Sequence, residues 1–175
     1  MALAWAVIPA PAPIGALTIG VTDAGLALLG FGDHPERAAR AADRLAEPLV
    51  TDPAATATAA AQLSEYLAGE RRAFELSLDW RLTSGSGRRV LQALYETVPF
   101  GDTVTYGELA ERGGLGASYT AARGVGAIMG ANPIAVVVPC HRVLAADGLG
   151  GFGGGRPTKE FLLALEGVLT APLFP

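Results

Sequence analysis

Midway along the chain, Thr83-Ser84-Gly85-Ser86-Gly87 interrupts every periodic pattern with small, flexible residues, which sets a module boundary there. The chain of 175 residues is long enough for two small cores, and it reads as two modules, residues 1–82 and 83–175. Half of the residues are hydrophobic and only 17% are charged, which excludes a disordered chain. A single cysteine permits no internal disulfide and suits a reducing cytoplasm. No stretch reaches the roughly 18 uninterrupted apolar residues of a membrane span. The apolar start carries Pro9, Pro11 and Pro13 and no basic residue before Arg37, so it lacks the charged head of a secretory signal.

The first module reads as α+β. Ile14 to Val21 and Leu26 to Phe31 flank Thr22-Asp23-Ala24-Gly25, the pattern of a hairpin. Pro35 opens a helix to about Glu47, stopped by Pro48; Ala54 to Ala68 forms a second, capped by Gly69. Phe74 to Leu78 alternates apolar and polar residues, which predicts a half-buried strand.

The second module reads as mostly helical. Val90, Leu91, Leu94, Tyr95 and Val98 share a helical face that Pro99-Phe100-Gly101-Asp102 ends. Thr105 and Glu108 form a capping box for a short helix to Arg112. After a glycine loop, Ser118 caps a helix from Tyr119 to Gly130. That pair is compatible with a helix-turn-helix, and equally with two helices packed in a core. Gly124, Gly126 and Gly130 each cost the helix about 1 kcal/mol against Ala, which makes sense where something approaches the backbone closely. Ile134 to Val138 predicts a buried strand. A glycine-rich loop, 148–155, surrounds Phe152. Pro157 starts a last helix with Phe161, Leu162, Leu165 and Val168 as its apolar stripe.

Chemistry concentrates at Pro139-Cys140-His141-Arg142-Val143. Pro139 ends the predicted strand and aims the only thiol beyond it. A cysteine acts as a nucleophile only when ionised, and an unperturbed thiol titrates near ~8.5, so a neighbouring base is needed to take its proton. His141 is that candidate base. A four-ligand zinc site is hard to build, since Cys140, His34 and His141 are the only strong nitrogen or sulfur ligands. The net charge of −4 does not advertise a nucleic-acid binder, yet its acidity lies in residues 1–82, with 6 basic and 10 acidic side chains against 7 of each in residues 83–175.

From about Arg89 to Gly167 the chain resembles the O6-alkylguanine-DNA alkyltransferases. The resemblance rests on the Pro139–Val143 motif after Asn132-Pro133, on Phe100-Gly101, Tyr106 and Ala121-Ala122-Arg123, and on Gly154-Gly155 and Glu166-Gly167. It implies a ribonuclease H-like first domain and a helix-turn-helix in the second. It further implies a monomer that uses no cofactor or metal and takes duplex DNA containing O6-alkylguanine as partner. In this likeness Cys140 attacks the alkyl carbon and keeps the group. His141 draws the thiol proton through a water, Glu166 holds the other imidazole nitrogen and favours the cation, and Asn132 braces the loop. Tyr106 gives a proton to the leaving base. Arg123, with Ala122 and Gly126 beside it, meets DNA, the arginine filling the space of a flipped guanine. Carbonyls of Cys140 and Val143 accept from the guanine amino group, while Met129, Val143, Phe152 and Gly153 line the pocket. Phe152 stands where the family often has tyrosine, and Gly153 and Gly154 leave room for alkyl groups larger than methyl.

Three rival classes answer to similar residues; the first, a non-enzymatic lesion-binding module as in the alkyltransferase-like proteins, replaces the reactive cysteine, so the presence of Cys140 argues against it. A cysteine hydrolase also needs a thiol, a base and an orienting group, but turns over. A helix-turn-helix regulator is also compatible, though no sensor domain or basic arm accompanies it.

Overall fold

The computed structural model describes residues 1–170. The first unit comprises Met1–Thr83 together with Pro133–Ala135. Its sheet contains β1 (Leu3–Pro9), β2 (Ala16–Thr22), β3 (Gly25–Phe31) and β4 (Leu49–Val50), in the order β3-β2-β1-β4. β1 and β3 run antiparallel to β2, and β4 lies parallel to β1. Leu17, Thr18 and Ile19 are all fully buried, and successive strand residues face opposite ways, so both faces of the sheet are covered. Helix α1 (Pro35–Leu45) packs Ala38, Ala41, Ala42 and Leu45 against Leu3 and Leu28; helix α2 (Pro53–Leu67) packs on β1 and β2. Gly69 takes φ +79° after α2, and the amides of Gly69 and Glu70 return to the carbonyls of Tyr66 and Glu65, a Schellman ending that satisfies the last turn.

Two predicted strands do not form. Phe74 to Leu78 contributes one bridge, Leu78 to Leu26, while the Gln62 side chain on α2 bonds both backbone groups of Glu75. In the 134–138 run only Ile134 pairs, with Leu29; residues 135–137 turn, and Val136 sits at φ +71°, a costly conformation for a β-branched residue. The apolar pattern there reports burial on every side, not extension, because Val136, Val137 and Val138 are all buried. The strand β1 was not among the predicted elements.

The second unit comprises Ser84–Asn132 and Val136 onward. Helix α3 (Gly85–Thr97) packs against α4 (Tyr106–Arg112) and α5 (Tyr119–Gly130), which pack on each other as a helix-turn-helix pair. Thr105 and Glu108 close the capping box on α4 with two bonds of 3.1 Å, and the Ser118 hydroxyl caps α5 at Ala121 N. Short strands β5 (Val104–Thr105) and β6 (Val143–Leu144) pair in parallel, and α6 (Arg156–Leu165) closes the unit. The buried face of α6 is Thr158, Lys159, Leu162 and Leu163, continuing to Glu166; of the predicted stripe only Leu162 is fully buried, and the helix ends before Val168. No described helix is long and apolar enough to cross a membrane.

Candidate active site

Cys140 opens a 3-10 turn, Cys140–Arg142, whose start is Pro139. The turn is held from both sides. Arg142 N donates to Pro139 O at 2.9 Å, Cys140 N to Val138 O at 2.8 Å, and Asn132 Nδ2 to the same Val138 carbonyl at 2.9 Å. Asn132 thus fills the place that a neighbouring strand would have taken. The pairing of β5 with β6 then sets Tyr106, the first residue of α4, alongside the chain leaving the turn.

Burial raises the Cys140 thiol above its ordinary range, against which a hydrogen bond from Asn132 and the charge of Lys159 pull downward. The resting group is therefore a thiol. It is 6% exposed, and what exposure it has faces a cavity of about 520 Å³ that Tyr106, Arg123, Met129, Phe152 and Gly153 also line. Tyr119, Ala122 and Gly126 complete the α5 side of that cavity. Val143 is not among the lining residues: it is fully buried in β6, and its carbonyl accepts from Lys159 Nζ at 2.7 Å.

Behind the thiol lies a buried charge network. His141 Nε2 lies 2.8 Å from Glu166 Oε2, and Arg142 donates to the same carboxylate from Nε at 2.7 Å and Nη2 at 2.9 Å. Arg142 Nη1 also reaches Val98 O at 2.7 Å, satisfying the end of α3. Burial opposes ionisation of Glu166, yet these bonds and charges overcome it and hold its carboxyl at about 2. The same carboxylate raises His141, but burial outweighs it and Arg142 and Lys159 add to the lowering. Burial thus favours the neutral imidazole, while Glu166 pulls toward the cation that the resemblance implies. A neutral ring bonded to a carboxylate places its proton on Nε2, leaving Nδ1 as the basic nitrogen. Nδ1 is buried and has no hydrogen-bond partner among the described residues.

Tyr106 is raised first by burial and then by Cys140, so its phenol stays protonated, donating to Gly151 O at 3.3 Å. Two site residues escaped the sequence reading. Arg142 carried no role there, and Lys159, the chain's only lysine, was passed over on α6. Lys159 is 1% exposed, its ammonium bonds Gly151 O at 3.3 Å besides Val143 O, and it lies 5.8 Å from the centre of the Phe152 ring. A visible signal existed: Lys159 and Glu166 flank Leu162 and Leu163 at helical spacing, two charges on an apolar face.

Both parts of the chain match models of known protein domains. Residues 86–168 match the family model described as 6-O-methylguanine DNA methyltransferase, DNA binding domain, and residues 5–80 match its ribonuclease-like domain. A methylated-DNA–protein-cysteine methyltransferase of Mycolicibacterium paratuberculosis is 46% identical over 159 residues, 88% of this chain and 87% of that one. The chain belongs to the 6-O-methylguanine DNA methyltransferase family. A second relative of that name, from Methanosarcina barkeri, is 37% identical over 88% of this chain and 92% of its own. Among solved structures, Mycobacterium tuberculosis OGT in complex with DNA superposes with a TM-score of 0.77 at 39% identity, covering 93% of this chain and 91% of that one. The predicted α+β class, with a ribonuclease-like first domain and a helical DNA-binding second domain, holds.

Proposed function

We propose that this chain repairs O6-alkylguanine in duplex DNA by direct reversal, moving the alkyl group irreversibly onto its own Cys140. The observation that carries the reading is one cavity bordered by the thiol, by a protonated phenol and by the arginine face of a helix-turn-helix. The everted base enters that cavity. Sulfur attacks the alkyl carbon as the carbon–O6 bond breaks, and the bonding pair passes to guanine. The thiol proton moves through a water to His141 Nδ1, which Glu166 keeps available by holding Nε2. Tyr106 protonates the leaving guanine and regains a proton from water as His141 gives one up, so that in net the thiol loses a hydrogen and the base gains one. A thioether is stable, so each molecule acts once. Asn132 braces the turn that presents sulfur.

The small residues of α5 support a DNA-facing role. Beyond its chain neighbours and its own helix backbone, a Cβ built at Gly124, Gly126 or Gly130 would meet no atom of the described residues within 4 Å, so no packing neighbour there requires glycine. The helix gives up about 1 kcal/mol at each position, which fits an external backbone approaching closely. Ala122 and Gly126 belong to that face, and Arg123 fills the space the guanine vacates. Met129, Phe152 and Gly153 bound the alkyl end of the cavity, whose size suits groups larger than methyl. The protein works as a cytoplasmic monomer without cofactor or metal.

Replacing Arg123 with Ala tests the flipping role. Repair of a lesion in duplex is expected to slow about tenfold to a hundredfold, the equivalent of the unstacking cost the arginine offsets. Reaction with free O6-benzylguanine should be unchanged. Equal losses in the two assays contradict the assignment.

A further inference from the structure

Tyr119 stands on the first turn of α5 and is 80% exposed, the most exposed large apolar side chain among the described residues. Its ring centre lies 5.9 Å from the Arg123 guanidinium carbon, one helical turn on, and both side chains line the cavity that Cys140 reaches. A solitary exposed aromatic is ordinary on a protein surface. This one is not solitary: it shares a wall with the thiol and sits beside the arginine assigned to the vacated base site. No fold requirement accounts for it, because its burial is slight and the Ser118 cap starts the helix without it.

We propose that Tyr119 is a base-stacking residue, receiving the face of a DNA base that flanks the everted guanine. The inference rests on the reading of Cys140 as alkyl acceptor and Arg123 as the filling residue. An aromatic ring offers a sequence-tolerant platform, since every base presents a π-face, and at this place it covers the step left open when guanine leaves the stack. Arg123 occupies the gap; Tyr119 holds its edge. With seven basic side chains matched by seven acidic in residues 83–175, stacking also supplies affinity that phosphate contacts alone do not.

The test compares Tyr119→Ala, Tyr119→Phe and Tyr119→Leu in single-turnover repair of duplex and in reaction with free O6-benzylguanine. The Ala and Leu variants should lose about tenfold in duplex repair beyond any loss on the free base, and the Phe variant should match the wild type in both assays. A 2-aminopurine flanking the lesion should be quenched on binding by wild type and Tyr119→Phe but not by Tyr119→Ala. Wild-type duplex repair in Tyr119→Ala, equal behaviour of Leu and Phe, or parallel loss on the free base overturns the stacking role while leaving Cys140 as acceptor. A wild-type protein that gains no alkyl group overturns both.

Discussion

Glu166→Gln is expected to destabilise the protein by about 3–5 kcal/mol and to slow alkyl transfer at least about a hundredfold. The carboxylate receives one bond from His141 and two from Arg142, all buried. An amide offers one oxygen, places a donor where another donor must arrive, and leaves the Arg142 cation buried without a countercharge. His141 then loses the acceptor that fixes its proton on Nε2, and with it the basic Nδ1 that the thiol needs. The pH dependence of stability provides a second check. Glu166 titrates at about 2 in the fold against an ordinary 4.5. Its stabilisation is therefore complete above the unfolded value and drains away as pH falls from there toward the folded one. The shift corresponds to on the order of 3 kcal/mol. Chemical denaturation across that acid range should show the wild type losing stability steeply and the variant much less so. Transfer and stability both at wild-type level would contradict the network.

Lys159→Met is expected to slow transfer by about tenfold to a hundredfold, the range for losing a hydrogen bond from a charged donor. Methionine fills the volume but returns nothing to Val143 O or Gly151 O, so β6, which follows the Cys140 turn, and the loop beside Tyr106 lose a common tether. The ammonium also lowers the thiol, which burial has raised. Removing it should move the pH–rate profile toward alkaline values as well as lowering it. A purely structural lysine would reduce the amount of active protein and leave the profile in place.

The site was legible in sequence where chemistry and spacing coincide. Cys140 and His141 are adjacent, and the Thr105/Glu108 and Ser118 caps announce the helices that carry Tyr106 and Arg123. The failures share one cause. In both predicted strands that did not form, a side-chain amide bonds the backbone groups that a partner strand would have claimed: Gln62 at Glu75 and Asn132 at Val138. Apolar residues in such segments are buried by tertiary packing, and hydrophobic pattern alone cannot separate that from a ladder. Arg142 and Lys159 stayed hidden because their partners, Glu166, Val98, Val143 and Gly151, are brought together only by the fold. The downward pull of burial on His141 was likewise out of reach, since it depends on the packing around the ring.

The central claim is that Cys140 is consumed by its own reaction. Wild-type protein and Cys140→Ala should be mixed with excess duplex carrying O6-methylguanine, followed by intact-protein mass spectrometry and peptide mapping. Wild type should gain one methyl group in place of one hydrogen, on the peptide containing Cys140, with a stoichiometry that never exceeds one, and the variant should gain nothing. An unmodified wild type, a methyl group at another residue, or continued turnover beyond one lesion per molecule would contradict it.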